Sequence, residues 1–298
     1  MTLQEVNVLE ANKKEELIYD NSNSLHERLA ISSISYNIDL PEVYGLAPTM
    51  LDDQEYRKIK EWRMKLKKNQ LYYPSIATTP SQLHLNTFLC NMTDTIINEK
   101  QVPGKKSEIG FTVDNVSPLF KYLFPANSVL SYKWEKSSIL PANDAYKRIR
   151  TDFVLVANGL EVGCGEIKPP GTTSQLVEED RARTAEILKR QLHVRIMKSK
   201  DPKEFVTFGM VFNGFNIELY VMAFDFENTP PYQFYEIEKL KLPSSPELYT
   251  NMEETIENLA SFKTSIVSSL AEEADVTKPY IYHDYIHLFK PTIAFKNY

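Results

Sequence analysis

The sequence is poor in cysteine and has no long apolar run. Its only cysteines, Cys90 and Cys164, lie far apart, which indicates a reducing compartment and no disulfide framework. The first twenty residues contain no apolar segment, and no stretch approaches membrane-spanning length. Glycine-rich phosphate loops, nucleophilic-serine motifs and internal repeats are also missing. We therefore expect an intracellular protein, in the nucleus or the cytoplasm, without membrane association.

The composition is that of a folded protein with an acidic surface. Of 298 residues, 42% are hydrophobic and 25% are charged, which is ordinary for a globular chain with ample length for a core. The net charge of −6 argues against wholesale coating of nucleic acid. A local basic groove on an acidic body stays compatible with this balance, so the net charge does not exclude a nuclease.

The stretch RIRTDFVLVANGLEVGCGEIKPP, residues 148–170, predicts a β-hairpin with charged residues among apolar ones. The run from Phe153 to Val156 and the segment 162–168 are typical of strands, and Asn158-Gly159 is a strong turn signal. Asp152, Glu166 and Lys168 lie within these strands. Because carboxylates and lysines are rarely buried without a partner or a metal, their position indicates a site.

The length of the turn decides whether the two acids share a face of the sheet. A two-residue turn would place Asp152 opposite Gly165 and would send Glu166 to the other face, which would abolish the site. A three-residue turn ending at Leu160 would place Asp152 opposite Glu166, with Lys168 on the same side. We predict the three-residue turn. Mg²⁺ or Mn²⁺ would then bind between Asp152 and Glu166, with the Ile167 carbonyl as a further ligand, while Lys168 orients water or stabilises negative charge on a phosphate.

An aspartate followed, after thirteen residues, by Glu-Ile-Lys resembles the signature of the PD-(D/E)XK phosphodiesterase superfamily, which includes restriction endonucleases, lambda exonuclease and RecB-type nucleases. The resemblance spans roughly residues 107–225, and Thr151 replaces the proline that precedes the aspartate in many members. It implies that Asp152 and Glu166 bind metal and that Lys168 is the catalytic lysine. The alternative is a surface hairpin whose charged residues face water.

Two further residues acquire candidate roles from this resemblance. The superfamily places an acidic residue on the helix before the catalytic sheet, where Ser107-Glu108 stands, so Glu108 is a candidate metal ligand; its alternative role is in helix capping. RecB-like members have a glutamine facing the active site on the helix after the third strand, which Gln191 resembles; its alternative is a surface position. The Ser-Glu start, Ser117-Pro118 and Gly-Glu-Ile-Lys together resemble a fungal group within the superfamily.

Basic residues predict where a nucleic acid would bind. The segment 53–69 has apolar residues at helical spacing with lysines and arginines around them, which is typical of a phosphate-contacting helix or of a solvated surface helix. In the helix predicted for 178–197, Ala185, Leu188, Leu192 and Ile196 form the inner stripe, and Arg183, Glu186, Lys189 and Arg190 form the outer one. The candidate nucleic-acid contacts are Arg148, Arg150, Arg181, Arg190, Lys58 and Arg63.

The order of predicted elements indicates an α/β fold with a restriction-endonuclease-like core: a helix, three antiparallel strands, a helix and further strands. We divide the chain into a polar N-terminal arm (1–50), a helical region (51–106), the nuclease-like core (107–226) and a C-terminal extension packed on the core (227–298). The predicted function is metal-dependent cleavage of nucleic acid, DNA rather than RNA. The alternative is a catalytically silent adaptor or effector, which binds nucleic acid or, through the aromatic C-terminal third, a protein.

Overall fold

The computed structural model describes residues 24–77, 79–101, 107–126, 128–137, 150–272 and 277–290. These residues form an α/β fold around one mixed sheet of seven strands, in the spatial order β1-β7-β6-β5-β4-β3-β2. The pairs β1–β7 and β4–β5 are parallel, and the other pairs are antiparallel. The strands are β1 (Ile34–Asn37), β2 (Leu130–Ser137), β3 (Arg150–Ala157), β4 (Leu160–Lys168), β5 (Val206–Asn213), β6 (Asn216–Phe224) and β7 (Tyr232–Lys241).

Helices cover both faces of the sheet. Helix α6 and helix α1 lie on one face, and the other helices pack on the opposite face. The helices are α1 (Leu25–Ile31), α2 (Asp53–Lys67), α3 (Pro80–Gln101), α4 (Glu108–Phe111), α5 (Ser117–Leu123), α6 (Ser174–Lys198) and α7 (Asn251–Ser268). Phe153 and Leu155 enter one core while Val154 enters the other. This two-sided burial explains why β3 reads as an unbroken apolar run.

The β3–β4 hairpin reaches the predicted register by a different route. Ala157 pairs with Leu160, so the turn has two residues, Asn158 and Gly159, both with positive φ (50° and 75°). The predicted three-residue turn is therefore wrong. Val156 pairs with Glu161 but Leu155 pairs with Gly163, so Val162 is an extra residue in a β-bulge. Beyond the bulge the β3–β4 pairing runs as far as Phe153 and Gly165, and the same register continued outward sets Asp152 opposite Glu166.

A π-helical turn separates α4 from α5 and shifts the buried face. Residues Thr112–Val116 form this turn directly before Pro118, which has no N–H for a regular helical bond. Regular spacing places Val113 in the buried stripe, but its side chain is 59% exposed and Phe111 is buried instead. The π-helical turn thus displaces the buried stripe by lengthening one turn of the helix.

The N-terminal segment, expected to be a loosely held polar arm, contributes to the fold over its described part. Ser24 caps helix α1 in a capping box with Glu27. Strand β1 pairs with β7 and takes the edge position of the sheet. The Ser32 carbonyl accepts a 2.6 Å hydrogen bond from Lys189 Nζ on α6.

The N-terminal segment covers the face of α6 that the sequence predicts to be its outer one, so this prediction is wrong. Glu186, Lys189 and Arg190 are almost completely buried, whereas a solvated stripe was expected there. Arg190 pairs with Glu186 at 3.7 Å. The reason is that α6 packs on the sheet on one side and under α1 on the other.

Among the described helices, none is long and apolar enough to cross a bilayer.

Candidate active site

Asp152 and Glu166 meet where β3 begins and β4 ends. Asp152 Oδ2 accepts a 2.6 Å hydrogen bond from the Ile167 backbone N–H, which fixes the carboxylate against β4. Asp152 also lies close enough to Glu166 for its carboxylate to add, after burial, to the upward shift of the Glu166 pKa. The structure therefore brings together the two acids that the sequence places on neighbouring strands.

Burial leaves this pair of acids short of compensating charge. Burial, and next the Asp152 carboxylate, raise the pKa of Glu166 well above its ordinary value. Burial also raises the pKa of Asp152, although the Ile167 N–H and Lys168 oppose the shift. Glu166 is 2% exposed, and its Oε1 has no hydrogen-bond partner among the described residues. A buried acceptor without a donor, next to a second carboxylate, is an arrangement that a cation would stabilise.

Lys168 extends from the end of β4 into a group of carboxylates. Its Nζ lies 3.1 Å from Glu108 Oε2 and 3.7 Å from Asp180 Oδ2. Burial lowers the pKa of Lys168, but Asp180, Asp152 and Glu108 together outweigh this effect, so the net shift is upward. Lys168 is therefore a charged ammonium group at neutral pH, suited to stabilising negative charge rather than to accepting a proton.

Glu108 belongs to this group through its contact with Lys168, and its role as a metal ligand stays a prediction. The Ser107 hydroxyl caps α4 by accepting a 3.1 Å hydrogen bond from the Gly110 N–H. The Glu108 carboxylate contacts Lys168, not the end of its own helix. The first turn of α4 thus adds an acid to the end of β4.

Asp180 and Arg183 lie at the site and were not among the predicted site residues. Asp180, on α6, contacts Lys168, and its Oδ1 lies 3.6 Å from Arg183 Nη1. Burial raises the pKa of Asp180 to about 6, although Lys168 and Arg183 oppose the shift. The sequence contains a signal for this position, since Asp180, Thr184 and Leu188 follow one another at helical spacing on the inner face. An acid in phase with an apolar stripe must be buried.

Gln191 lies away from the three central residues. Its Nε2 donates to Glu161 Oε2 at 3.2 Å and to the Gly163 carbonyl at 3.3 Å. Gly163 precedes Glu166 by three residues, which corresponds to roughly 10 Å along a strand. The expectation that Gln191 faces the active site is corrected: it is buried against the turn end of the hairpin.

The predicted nucleic-acid contacts have different surroundings. Lys58 is buried and donates to Ser75 Oγ and Asn86 Oδ1, and Arg190 is buried under α1, so neither belongs to an exposed binding surface as predicted. The burial of both residues follows from packing that their local sequence does not show.

The remaining predicted contacts are less buried. Arg181 Nε pairs with Glu218 Oε2 at 2.7 Å, and Arg63 pairs with Glu253 at 2.8 Å. Arg150 is exposed at the start of β3, two residues before Asp152. Arg148 lies outside the described residues. Arg150 is thus the predicted contact nearest to the acids in sequence.

The donor set at the acids fits a hard cation that retains water. Within the described part of the chain, no group of three or more histidine, cysteine, aspartate or glutamate side chains is arranged to hold a metal ion. Magnesium, however, is commonly bound through one or two carboxylates, several waters and substrate phosphates. Asp152 and Glu166 supply two carboxylates. In an extended strand the N–H and C=O of one residue point to the same side, so the Ile167 carbonyl points towards β3, as its N–H does.

Comparisons with known proteins add no relative. No protein-family model matches the chain. Neither a curated protein nor a solved structure matches it.

Proposed function

We propose that this chain is a metal-dependent phosphodiesterase with a restriction-endonuclease-like core, which cleaves nucleic acid, DNA in preference to RNA. The observation that carries the proposal is the convergence of Asp152 and Glu166 with Lys168 at one end of the β3–β4 hairpin. Two neighbouring buried acids, each with a raised pKa, destabilise the site when both are ionised. Such an arrangement is typical of functional sites, where a bound cation offsets the repulsion.

Each residue has a role that follows from its contacts. Asp152 and Glu166 would hold Mg²⁺ or Mn²⁺, with the Ile167 carbonyl and Glu108 as further ligands, and the bound ion would polarise the scissile phosphate. The Ile167 N–H keeps Asp152 directed at Glu166. Lys168 remains charged and places its ammonium group beside the acids, where it orients water and stabilises negative charge on the phosphate.

The order of the elements supports this proposal. Helix α4, three antiparallel strands, helix α6 and a strand pair follow one another in the order expected for the superfamily. Exposed basic residues suited to phosphate contacts lie on α2 (Arg57, Lys60, Lys65 and Lys67) and at its C-cap, Lys68. Arg150 precedes Asp152 on β3. These residues provide local positive charge on a chain whose net charge is negative.

The test is cleavage of labelled single-stranded DNA, duplex DNA and RNA with Mg²⁺, with Mn²⁺ and with a chelator. We expect cleavage that needs the metal and that falls at least 100-fold in Asp152→Asn, Glu166→Gln and Lys168→Met. The matched control is Glu238→Gln, an exposed acid on β7, which should cleave like the parent chain.

Other outcomes of the same assay separate the alternatives. Binding of nucleic acid without cleavage under any metal condition would support the silent adaptor or effector. Cleavage that persists in Asp152→Asn would show a contaminant or another site. Either result would overturn the proposal.

A further inference from the structure

We propose that Asp180 is a positioning residue, which holds the Lys168 ammonium group beside Asp152 and Glu166 from the buried side. This inference rests on the proposed function, because it assigns a task to Lys168 that only a phosphodiesterase needs. Asp180 does not belong to the sequence signature formed by Asp152, Glu166 and Lys168.

The two carboxylates beside Lys168 differ in how firmly they are held. Glu108 is closer, but its side chain is 46% exposed and lies on a four-residue helix. The Asp180 side chain is 4% exposed and lies on the 25-residue helix α6, which packs directly on β4. Exposed ion pairs are weak and exchange readily with water, whereas a buried partner on a long helix has a fixed position. Asp180 is thus the partner that can define where the ammonium group lies.

Arg183 holds Asp180 in place. Its Nη1 lies 3.6 Å from Asp180 Oδ1, while Asp180 Oδ2 is directed at Lys168. Each oxygen of Asp180 therefore faces a different cation at ion-pair distance, although Oδ2 makes no hydrogen bond within the described residues. The resulting chain of charges runs from Arg183 through Asp180 to Lys168, and it aligns the lysine from the helix side of the sheet.

Without Asp180, Glu108 would be the one acid among the described residues, outside the metal pair, that forms an ion pair with Lys168. If Glu108 turns towards a bound metal ion, as the proposed function allows, Lys168 would lose its remaining contact with an acid outside the metal pair. Asp180 keeps its contact with Lys168, because a buried side chain on α6 cannot turn towards the metal ion as Glu108 can. Its ion pairs are with Lys168 and Arg183, so we expect its effect on the reaction to pass mainly through Lys168.

The experiment is a double-mutant cycle with Asp180→Asn and Lys168→Met, measured by single-turnover cleavage with enzyme in excess. We expect Asp180→Asn to lower the rate constant about 10- to 100-fold, the usual effect of losing a supporting residue, with less than threefold change in KM and in the Mg²⁺ concentration for half-maximal rate. In the Lys168→Met background it should cause no further loss. Asp180→Glu should restore part of the rate, and Glu179→Gln, a neighbouring acid on α6, should behave like the parent chain.

Urea unfolding of the same four proteins supplies a second cycle that needs no activity. The shifts in midpoint should be non-additive, because the two side chains interact. If Asp180→Asn does not fold, the cycle is run with Asp180→Ser, which also removes the carboxylate. An inactive parent chain would refute the proposed function, and the unfolding cycle would still test the Asp180–Lys168 contact.

Three results would overturn the role of Asp180. These are additive effects in the unfolding cycle, a rate constant for Asp180→Asn within twofold of the parent, and a rise in the half-maximal Mg²⁺ concentration as large as the loss of rate. The last result would make Asp180 a metal ligand instead.

Discussion

Lys168 Nζ lies 3.1 Å from Glu108 Oε2, so the end of β4 is tied to the first turn of α4. Both side chains are partly exposed, and exposed ion pairs contribute only about 0–1 kcal/mol to stability. Glu108→Gln should therefore change the free energy of unfolding by less than ~1 kcal/mol. If Glu108 serves the metal or its waters, the same substitution should lower the cleavage rate about tenfold.

Ser107→Ala is the matched control for Glu108→Gln. It removes the cap of α4 and should cost ~1 kcal/mol of stability. Urea unfolding and initial rates of both variants provide the measurement. A parent-like rate in Glu108→Gln would leave Glu108 with a purely electrostatic role at the start of its helix.

The buried acids predict an unusual dependence of stability on pH. Glutamate in the unfolded chain ionises near pH 4.3, whereas burial and Asp152 raise the pKa of Glu166 in the folded chain. Between these two values the folded state binds more protons, so stability decreases as pH rises through this window. Glu166→Gln removes the titrating group. In metal-free buffer at pH 8 we expect this variant to be more stable than the parent by at least ~1 kcal/mol.

The advantage of Glu166→Gln should disappear near pH 4, where the parent carboxyl is protonated in both states. At millimolar Mg²⁺ the order should reverse, because the ion stabilises only a chain that binds it. Thermal unfolding at four pH values, with and without Mg²⁺, measures both effects. A variant less stable than the parent at pH 8 without metal would contradict the raised pKa.

Two glycines of the hairpin should differ in their tolerance of a methyl group. A Cβ at Gly165 would overlap the Met210 carbonyl oxygen and the Phe153 ring. Gly165→Ala should therefore cost about 3 kcal/mol or more, and should displace the strand that carries Glu166. Gly159, at φ 75° in the turn, has open space around it, so Gly159→Ala should cost only ~1–2 kcal/mol of backbone strain. Equal losses in urea unfolding would contradict this packing.

Lysines on α2 should separate into structural and nucleic-acid-binding residues. Lys58 is buried with hydrogen bonds to Ser75 and Asn86, so Lys58→Ala should destabilise the fold by about 1–3 kcal/mol without changing affinity for DNA. Lys60 and Lys65 are exposed on the same helix. Replacing both with glutamine should weaken DNA binding and reduce its salt slope by about 2. Fluorescence anisotropy at several salt concentrations is the measurement, and an unchanged slope would remove α2 from the interface.

Local patterns predicted the elements of the site correctly because cap chemistry and periodicity act over a few residues. Ser107, which the sequence places at the start of a helix, caps α4. The pairing of Asp152 with Glu166 was also predicted, although for the wrong turn. The count of residues between the acids requires one irregular residue, but sequence does not show whether it lies in the turn or, as here, at Val162.

Long-range packing explains what the sequence did not predict. The burial of Lys189 and Arg190 depends on a segment more than 150 residues earlier, as the hydrogen bond from Lys189 to Ser32 shows. Likewise, Lys58 looks like a surface lysine until Ser75 and Asn86 enclose it. Asp180 is in phase with the buried stripe of α6, but the many other charged residues of this helix obscure that periodicity.

Strand β1 covers only half of β7, and this partial cover affects how readily the protein associates with itself. The covered half, Tyr232 to Tyr235, is mostly aromatic, whereas the remainder carries Glu236, Glu238, Lys239 and Lys241. Charged side chains oppose pairing with a foreign strand, and bare aromatic edges invite it. A chain shortened beyond Asn37 would expose the unguarded half and would be prone to join edge to edge with copies of itself. Strand β1 thus opposes edge-to-edge pairing between copies of the protein.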